Sequence, residues 1–208
     1  MFCAALVALM AGALFYAARI PAEVALKQAA TQTEPAAAQA EPAVPEPATP
    51  QAVTHPVFTL PDLDGTDREF VEWDGKHRLL NFWATWCAPC RREIPMLNAF
   101  QEEHGDAGFQ ILGIAVDYLE QVVPFAEETE FKYPILIGQQ DAMAVAESSG
   151  IEFIGMPFTM IVARDGELLS AYLGELHKNH LDDIVSILTR LDNGELDKTE
   201  ASDALDLL

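Results

Sequence analysis

An α/β fold with a mostly parallel central sheet, covered by helices on both faces, is predicted by three features of this sequence. Short, continuous apolar runs alternate with stretches of helical period. Two strand-like runs near the C-terminal end flank Asp165-Gly166, a tight-turn signal. Two cysteines with two residues between them, Cys87 and Cys90, stand where an apolar strand gives way to a helix. The chain has 208 residues, 50% of them hydrophobic. That allows one domain with appendages, and a domain of roughly 140 residues buries a core without staples.

The folded domain reads from 56 to 191. Residues 57–60 and 69–73 are short strand candidates, and Asp62-Leu63-Asp64-Gly65 is the turn between them. A buried strand follows over 79–84. A helix runs from Pro89 to about His104, its period carried by Ile94, Leu97, Phe100 and Gln101. Residues 109–116 are a continuous apolar strand. Residues 119–128 read as a helix in which Pro124 sits in the first turn or makes a kink. A strand over 133–137 and a helix over 141–148 come next. Residues 158–163 and 168–173 form the Asp-Gly hairpin, and 177–191 close the domain as a helix. The acidic remainder, 192–208, is expected to be a frayed tail or a short surface helix.

Residues 1–20 are expected to be a membrane anchor or a secretory signal. Met1 to Ala18 contain no charged side chain. As a helix they span about 27 Å, close to a bilayer core of about 30 Å. An uncleaved anchor and a signal cut after small residues such as Ala11-Gly12-Ala13 both fit. Cys3, inside this segment, reads as a small apolar filler. Residues 21–55 are a linker rich in Ala, Pro, Glu, Gln and Thr, with Pro35, Pro42, Pro45, Pro47 and Pro50 along it. Such a composition buries too little apolar surface to offset ordering entropy. Its reach is up to about 110 Å, enough for a tether.

The formal charge of −21 argues against nucleic acid and anionic membrane surfaces as partners. It favours solubility and docking to neutral or basic proteins. With only Cys3, Cys87 and Cys90 present, a disulfide framework is excluded, since the one plausible pair closes a tiny loop.

Cys87 falls just before the helix, where unpaired N–H groups and the positive dipole end favour a thiolate. Pro89 fits the first turn, where its missing donor costs nothing. Cys90 lies inside the turn and is expected to be the more buried. Cys87 then attacks a partner's disulfide and Cys90 resolves the mixed disulfide. Arg91 and Arg92 either solubilise the helix or steer a partner. Metal binding is the rival chemistry. A structural zinc site needs four ligands, and His55, His77, His104, His177 and His180 stand at no ligand spacing from the cysteines. No metal and no cofactor are expected.

The stretch Asn81-Phe82-Trp83-Ala84-Thr85-Trp86-Cys87-Ala88-Pro89-Cys90-Arg91-Arg92-Glu93-Ile94-Pro95 closely resembles the thioredoxin superfamily. More narrowly it resembles the TlpA/ResA/CcmG branch of membrane-anchored thiol-disulfide oxidoreductases. The resemblance spans residues 57–191. It implies a thioredoxin fold, with a central mixed sheet flanked by helices, an added N-terminal β-hairpin and a central helix–strand insertion at about 119–137. Gly155-Met156-Pro157-Phe158-Thr159 matches the place where these proteins carry a cis-proline facing the dithiol. By resemblance, the Met156 backbone pairs with an extended partner segment laid across Cys87, so Trp86, Met156 and Pro157 are expected to bind substrate. Asn81 stands where cytosolic thioredoxin has a buried aspartate. Glu93, three residues after Cys90, stands where the branch carries its proton acceptor. The alternative for Glu93 is a plain helix-surface carboxylate.

The function expected is reduction of protein disulfides by dithiol exchange, in maturation of cytochrome c or of metal-site cysteines. The partners implied are protein disulfide or dithiol substrates and a membrane thiol electron donor. The resemblance also implies a bacterial cytoplasmic membrane location, with the catalytic domain periplasmic or otherwise extracytoplasmic. Two other functions fit the same residues: a general disulfide oxidase or isomerase, and a Cu(I)-binding module holding copper on Cys87 and Cys90.

Overall fold

The middle strand of the sheet, β3 (His77–Trp83), is buried at every position, as a strand covered on both faces must be. It belongs to a five-stranded sheet ordered β5-β4-β3-β6-β7 in a computed structural model that describes residues 56–208. Residues 1–55, with the expected anchor or signal, the linker, Cys3 and His55, lie outside the described residues.

Strands β4 (Phe109–Val116) and β5 (Ile135–Gly138) continue the sheet in parallel from β3. On the other side β6 (Phe158–Val162) is antiparallel to β3, and β7 (Leu168–Leu173) is antiparallel to β6. The Asp165-Gly166 turn makes that hairpin, and Gly166 takes a φ of 93° that favours glycine. Two further strands, β1 (Thr59–Pro61) and β2 (Asp67–Glu69), form the separate antiparallel hairpin at the N-terminal end of the domain.

Among the described residues, five α-helices cover the sheet. Helix α1 (Ala88–His104) follows β3, and α2 (Leu119–Thr129) follows β4. Helix α3 (Gln140–Ser148) follows β5, and α4 (Lys178–Asp192) and α5 (Lys198–Leu205) close the chain. The layers follow from the two sides of the strands. Leu79, Trp83, Ile111 and Ile161 share one core cluster with Ile94 and Leu97 of α1 and Leu181 and Leu188 of α4. Leu80, Phe82, Leu112 and Met160 face the other way, onto Ala142, Val145 and Ala146 of α3.

Most expected elements are present within a residue or two. The main local difference is at 69–73. Only Glu69 is in strand, and Phe70–Trp73 is a 3₁₀ turn. Phe70 and Trp73, the buried pair, stand three apart, which matches a 3₁₀ turn and not the alternation of a strand. The Glu72 carboxylate accepts from the Glu69 N–H at 2.8 Å and closes the turn. The strand expected from Tyr133 starts at Ile135, past Pro134, which has no N–H to give a ladder. Pro124 lies well inside α2, beyond the first turn.

The acidic segment after 191 is a short helix and not a frayed tail. Asp197 caps α5 by accepting from the Glu200 N–H at 2.9 Å. One face of α5 puts Ala201 and Leu205 into the core cluster below α4. Ser202 donates to the Leu169 carbonyl, and Lys198 pairs with Asp165 and Glu167 at the hairpin turn. The helix is therefore part of the packed domain, which continues past the expected boundary. Leu205→Ala should cost about 2–4 kcal/mol, the usual loss for a buried leucine. Urea unfolding followed by circular dichroism should show a lower midpoint at unchanged slope; an unaltered midpoint would mean that α5 only rests on the surface.

Candidate active site

Strand β3 delivers the chain to the dithiol. Ala84 ends the buried run, and the Cys87 N–H donates to the Ala84 carbonyl at 3.1 Å, which makes a tight turn before α1. Cys87 is the N-cap of α1, and its sulfur accepts from the Cys90 N–H at 3.4 Å. The dipole and the open N–H groups of the first turn thus surround the Cys87 sulfur. Pro89 occupies the first turn, where no N–H is missed. Cys87 and Cys90 are joined as a disulfide across a Cα separation of 5.3 Å. Cys90 is 0% exposed and Cys87 5%. Trp86, beside them, is 70% exposed.

The turn is tied down from β4. Asp117, the first residue after that strand, accepts from the Thr85 N–H at 3.0 Å and from the Thr85 hydroxyl at 2.6 Å. Its other oxygen accepts from the Tyr118 N–H at 2.8 Å. Sequence reasoning passed over Asp117. Its place at the C-terminal end of a parallel strand, where α/β sheets gather their functional groups, is the feature that pointed to it. The two arginines are also engaged. Arg92 forms an ion pair with Glu175, its Nε lying 3.1 Å from Oε1, and the Arg91 guanidinium lies 5.4 Å from the Phe125 ring centre.

Glu93 is not a surface carboxylate. It is 2% exposed and lies under the dithiol, one turn along α1 from Cys90. The Asn81 amide donates to its Oε1 at 2.8 Å, and the Leu176 backbone N–H donates to its Oε2 at 2.7 Å. Asn81 also donates to the Thr159 hydroxyl at 3.1 Å. Burial pushes the Glu93 carboxyl up to about 7, against the two donors that favour its anion; the nearby Glu175 charge adds to the rise.

Pro157 is buried at the start of β6, and the Met156–Pro157 peptide bond is cis. Phe158 pairs with Phe82 in the β3–β6 ladder, so Pro157 stands at the same sheet end as the dithiol turn. Met156 packs partly buried against the core cluster that contains Cys87 and Cys90. The structure therefore gathers Trp86, Cys87, Cys90, Glu93, Met156 and Pro157 at the C-terminal end of β3. Among the described residues, no cluster of three or more His, Cys, Asp or Glu side chains is placed to hold a metal ion.

The sign of the Glu93 effect on stability follows from its shift. Its carboxyl binds a proton more tightly folded than in the unfolded chain, where 4.5 is its ordinary value. Its neutral form is favoured inside the protein, so its contribution to stability is full at low pH and is lost as pH rises from about 4.5 through 7. The loss is of the order of 2–3 kcal/mol. Urea unfolding of the oxidised protein between pH 5 and 8 should show that decline. Glu93→Gln, which cannot ionise, should flatten it; an equally steep decline in the variant would assign the pH dependence to another group.

Comparison with known proteins agrees with this geometry. The Redoxin family profile matches residues 50–188. The thiol-disulfide oxidoreductase ResA of Geobacillus thermodenitrificans is 33% identical over 136 residues, which cover 63% of this chain and 76% of that protein. Among solved structures, the thioredoxin domain of a thiol-disulfide oxidoreductase from Bacteroides vulgatus superposes with a TM-score of 0.55 at 27% identity, covering 65% of this chain and 95% of that one. A thiol:disulfide interchange protein from a Bacteroides species gives a TM-score of 0.57 at 25% identity, over 69% of this chain and 93% of that one. With a thioredoxin fold and a cysteine pair at the mouth of α1, the chain belongs to the Redoxin family, in the TlpA/ResA/CcmG-like part of the thioredoxin superfamily, and is a thiol-disulfide oxidoreductase.

Proposed function

We propose that this protein reduces disulfides in partner proteins, with Cys87 as nucleophile, Cys90 as resolving thiol and Glu93 as proton acceptor. The observation that carries the reading is the buried Glu93 carboxyl one helical turn from the buried Cys90. In the reduced enzyme the Cys87 thiolate attacks a partner disulfide. One partner sulfur leaves as a thiolate and a mixed disulfide forms. Cys90 then gives its proton to Glu93, and its sulfur attacks Cys87. The second partner sulfur leaves, and the Cys87–Cys90 disulfide closes. Two electrons have passed from enzyme to partner, and a thiol donor must return them. An acceptor with an affinity near pH 7 suits this transfer, because it is free to take the proton and able to release it later.

The surroundings support a protein as the partner. Trp86, Tyr118 and Ile154 expose large apolar surface on loops at the dithiol end of the sheet. An extended partner segment would pair with the Met156 backbone and lie across Cys87, with Trp86 and Pro157 flanking it. Cytochrome c apoprotein or metal-site cysteines are the substrates we favour, with a membrane thiol carrier as donor. Residues 1–18 would hold the domain at the bacterial cytoplasmic membrane, on its extracytoplasmic side, and residues 21–55 would give it reach.

Cys90→Ser should trap the partner on Cys87, visible as a mixed disulfide on non-reducing gels, while Cys87→Ser should trap nothing. Absence of any trapped partner would end the reductase reading. In Glu93→Gln, iodoacetamide alkylation of reduced Cys90 against pH should lose the inflection that Glu93 contributes; an unchanged profile would remove Glu93 from the reaction.

A further inference from the structure

One row of residues crosses the sheet beneath the dithiol. Ile135, Gly113, Asn81 and Thr159 are successive register partners on β5, β4, β3 and β6. Three of them carry side chains, and Glu93 of α1 sits on Asn81. Gly113, beside Asn81, has none, and other side chains use that space. A Cβ there would stand 2.6 Å from Ile135 Cδ1, 3.1 Å from Tyr133 Cε2 and 3.2 Å from Trp83 Nε1. The Trp83 indole N–H and the edge of the Tyr133 ring thus meet over Gly113. Trp83 is 1% exposed and Tyr133 5%. Neither Trp83 Nε1 nor the Tyr133 hydroxyl has a hydrogen-bond partner among the protein's atoms.

A buried donor without an acceptor is rare in folded proteins, and two on side chains that neighbour one another call for a shared partner. The carboxyl nearest this row is that of Glu93. Each of its oxygens already accepts one hydrogen bond and has capacity for another. Burial, and then the charge of Glu93, hold the Tyr133 hydroxyl well above its ordinary affinity for its proton, so the Glu93 charge is felt at the Tyr133 hydroxyl. The groups facing Glu93 are Asn81 from β3, Thr159 through Asn81 from β6, the Leu176 N–H before α4, Glu175 in its pair with Arg92, and Tyr133 from the approach to β5.

We propose that Tyr133 is a positioning residue for the Glu93 proton: its hydroxyl and the Trp83 N–H share one internal water, which donates to the Glu93 carboxylate over Gly113. Such a water would have three polar partners, the usual number for a buried one. The donor favours the anion, and so limits how far burial raises the affinity of Glu93 for its proton. The catalytic importance of this tuning rests on the reading of Glu93 as acceptor of the Cys90 proton, but the tuning itself can be measured without it.

The test is a carbon-13 carboxyl NMR titration of the oxidised full chain, with the Glu93 resonance assigned by its loss in Glu93→Gln. Tyr133→Phe removes one oxygen and keeps the ring. It should move the Glu93 midpoint upward by about half a pH unit or more, the size of effect one lost donor gives. In the unsubstituted chain the Tyr133 Cζ resonance should follow the Glu93 midpoint, and in Glu93→Gln it should not. An unmoved Glu93 midpoint in Tyr133→Phe, or a Tyr133 Cζ resonance that ignores Glu93, overturns the proposal. The acceptor reading fails by a different result, an alkylation profile of Cys90 that Glu93→Gln leaves unchanged.

Discussion

Glu93 accepts from the Asn81 amide at 2.8 Å and from the Leu176 N–H at 2.7 Å, and through Asn81 it reaches the Thr159 hydroxyl. These bonds join α1, β3, β6 and the segment entering α4, which are far apart in sequence. Their effect is to fix the rotation of α1 about its own axis. An amphipathic helix held by leucines alone can slide or turn slightly with little loss, because apolar contact is not directional. Hydrogen bonds to one carboxyl cannot be kept through such a turn. Since Cys90 lies one turn before Glu93 on the same helix, the bonds that hold Glu93 also decide which way Cys90 faces.

A second set of contacts fixes the turn that carries Cys87. Asp117 holds Thr85 by both backbone and hydroxyl. Trp83, two residues earlier, packs between Phe125 and Phe131 with ring centres 5.4 and 5.1 Å away. Both rings come from the inserted segment that includes α2 and its exit. The insertion therefore braces the strand end that feeds the dithiol, in addition to widening the sheet by β5. Arg91 over Phe125 joins the first turn of α1 to the same aromatic group. The dithiol is held from β4, from the insertion and from the helix it caps, while Trp86 projects into solvent.

Much of this was legible in the sequence, and what was not has physical reasons. The apolar run of β4 could be nothing but a buried strand, and its bounds agree with the expectation. The Cys87–Cys90 pair was legible because its chemistry needs a fixed local spacing, and Pro157 was expected from resemblance. Glu93 was expected from resemblance, but its burial depends on Asn81 and Leu176, and no local pattern reveals partners 12 and 83 residues away. Asp117 and Tyr133 were missed for the same reason. The 3₁₀ turn at Phe70–Trp73 was misread because aromatic and β-branched residues suit a strand, while the three-residue spacing of the buried pair and the Glu72 cap decided otherwise. Helix α5 was underrated because its acidic character masks a two-residue apolar face, Ala201 and Leu205, too narrow for periodicity to register.

The two sulfurs face different problems, and the site solves them separately. Cys87 meets the partner and can be stabilised as an anion by the end of α1, where the N–H groups of the first turn are open. Cys90 is sealed from water, and in the mechanism proposed above its proton passes to an internal acceptor, Glu93. A cation placed against Glu93 would hold the acceptor ionised but too weakly basic. Arg92, the residue before Glu93 in the chain, is instead paired with Glu175. Burial then becomes the dominant influence on Glu93 and lifts it to about 7. An acid with that affinity is close to the condition at which proton transfer is most efficient near neutral pH. The net charge of −21 contributes little to this local balance, because most of it is carried by exposed side chains whose fields water and salt screen within about 10 Å.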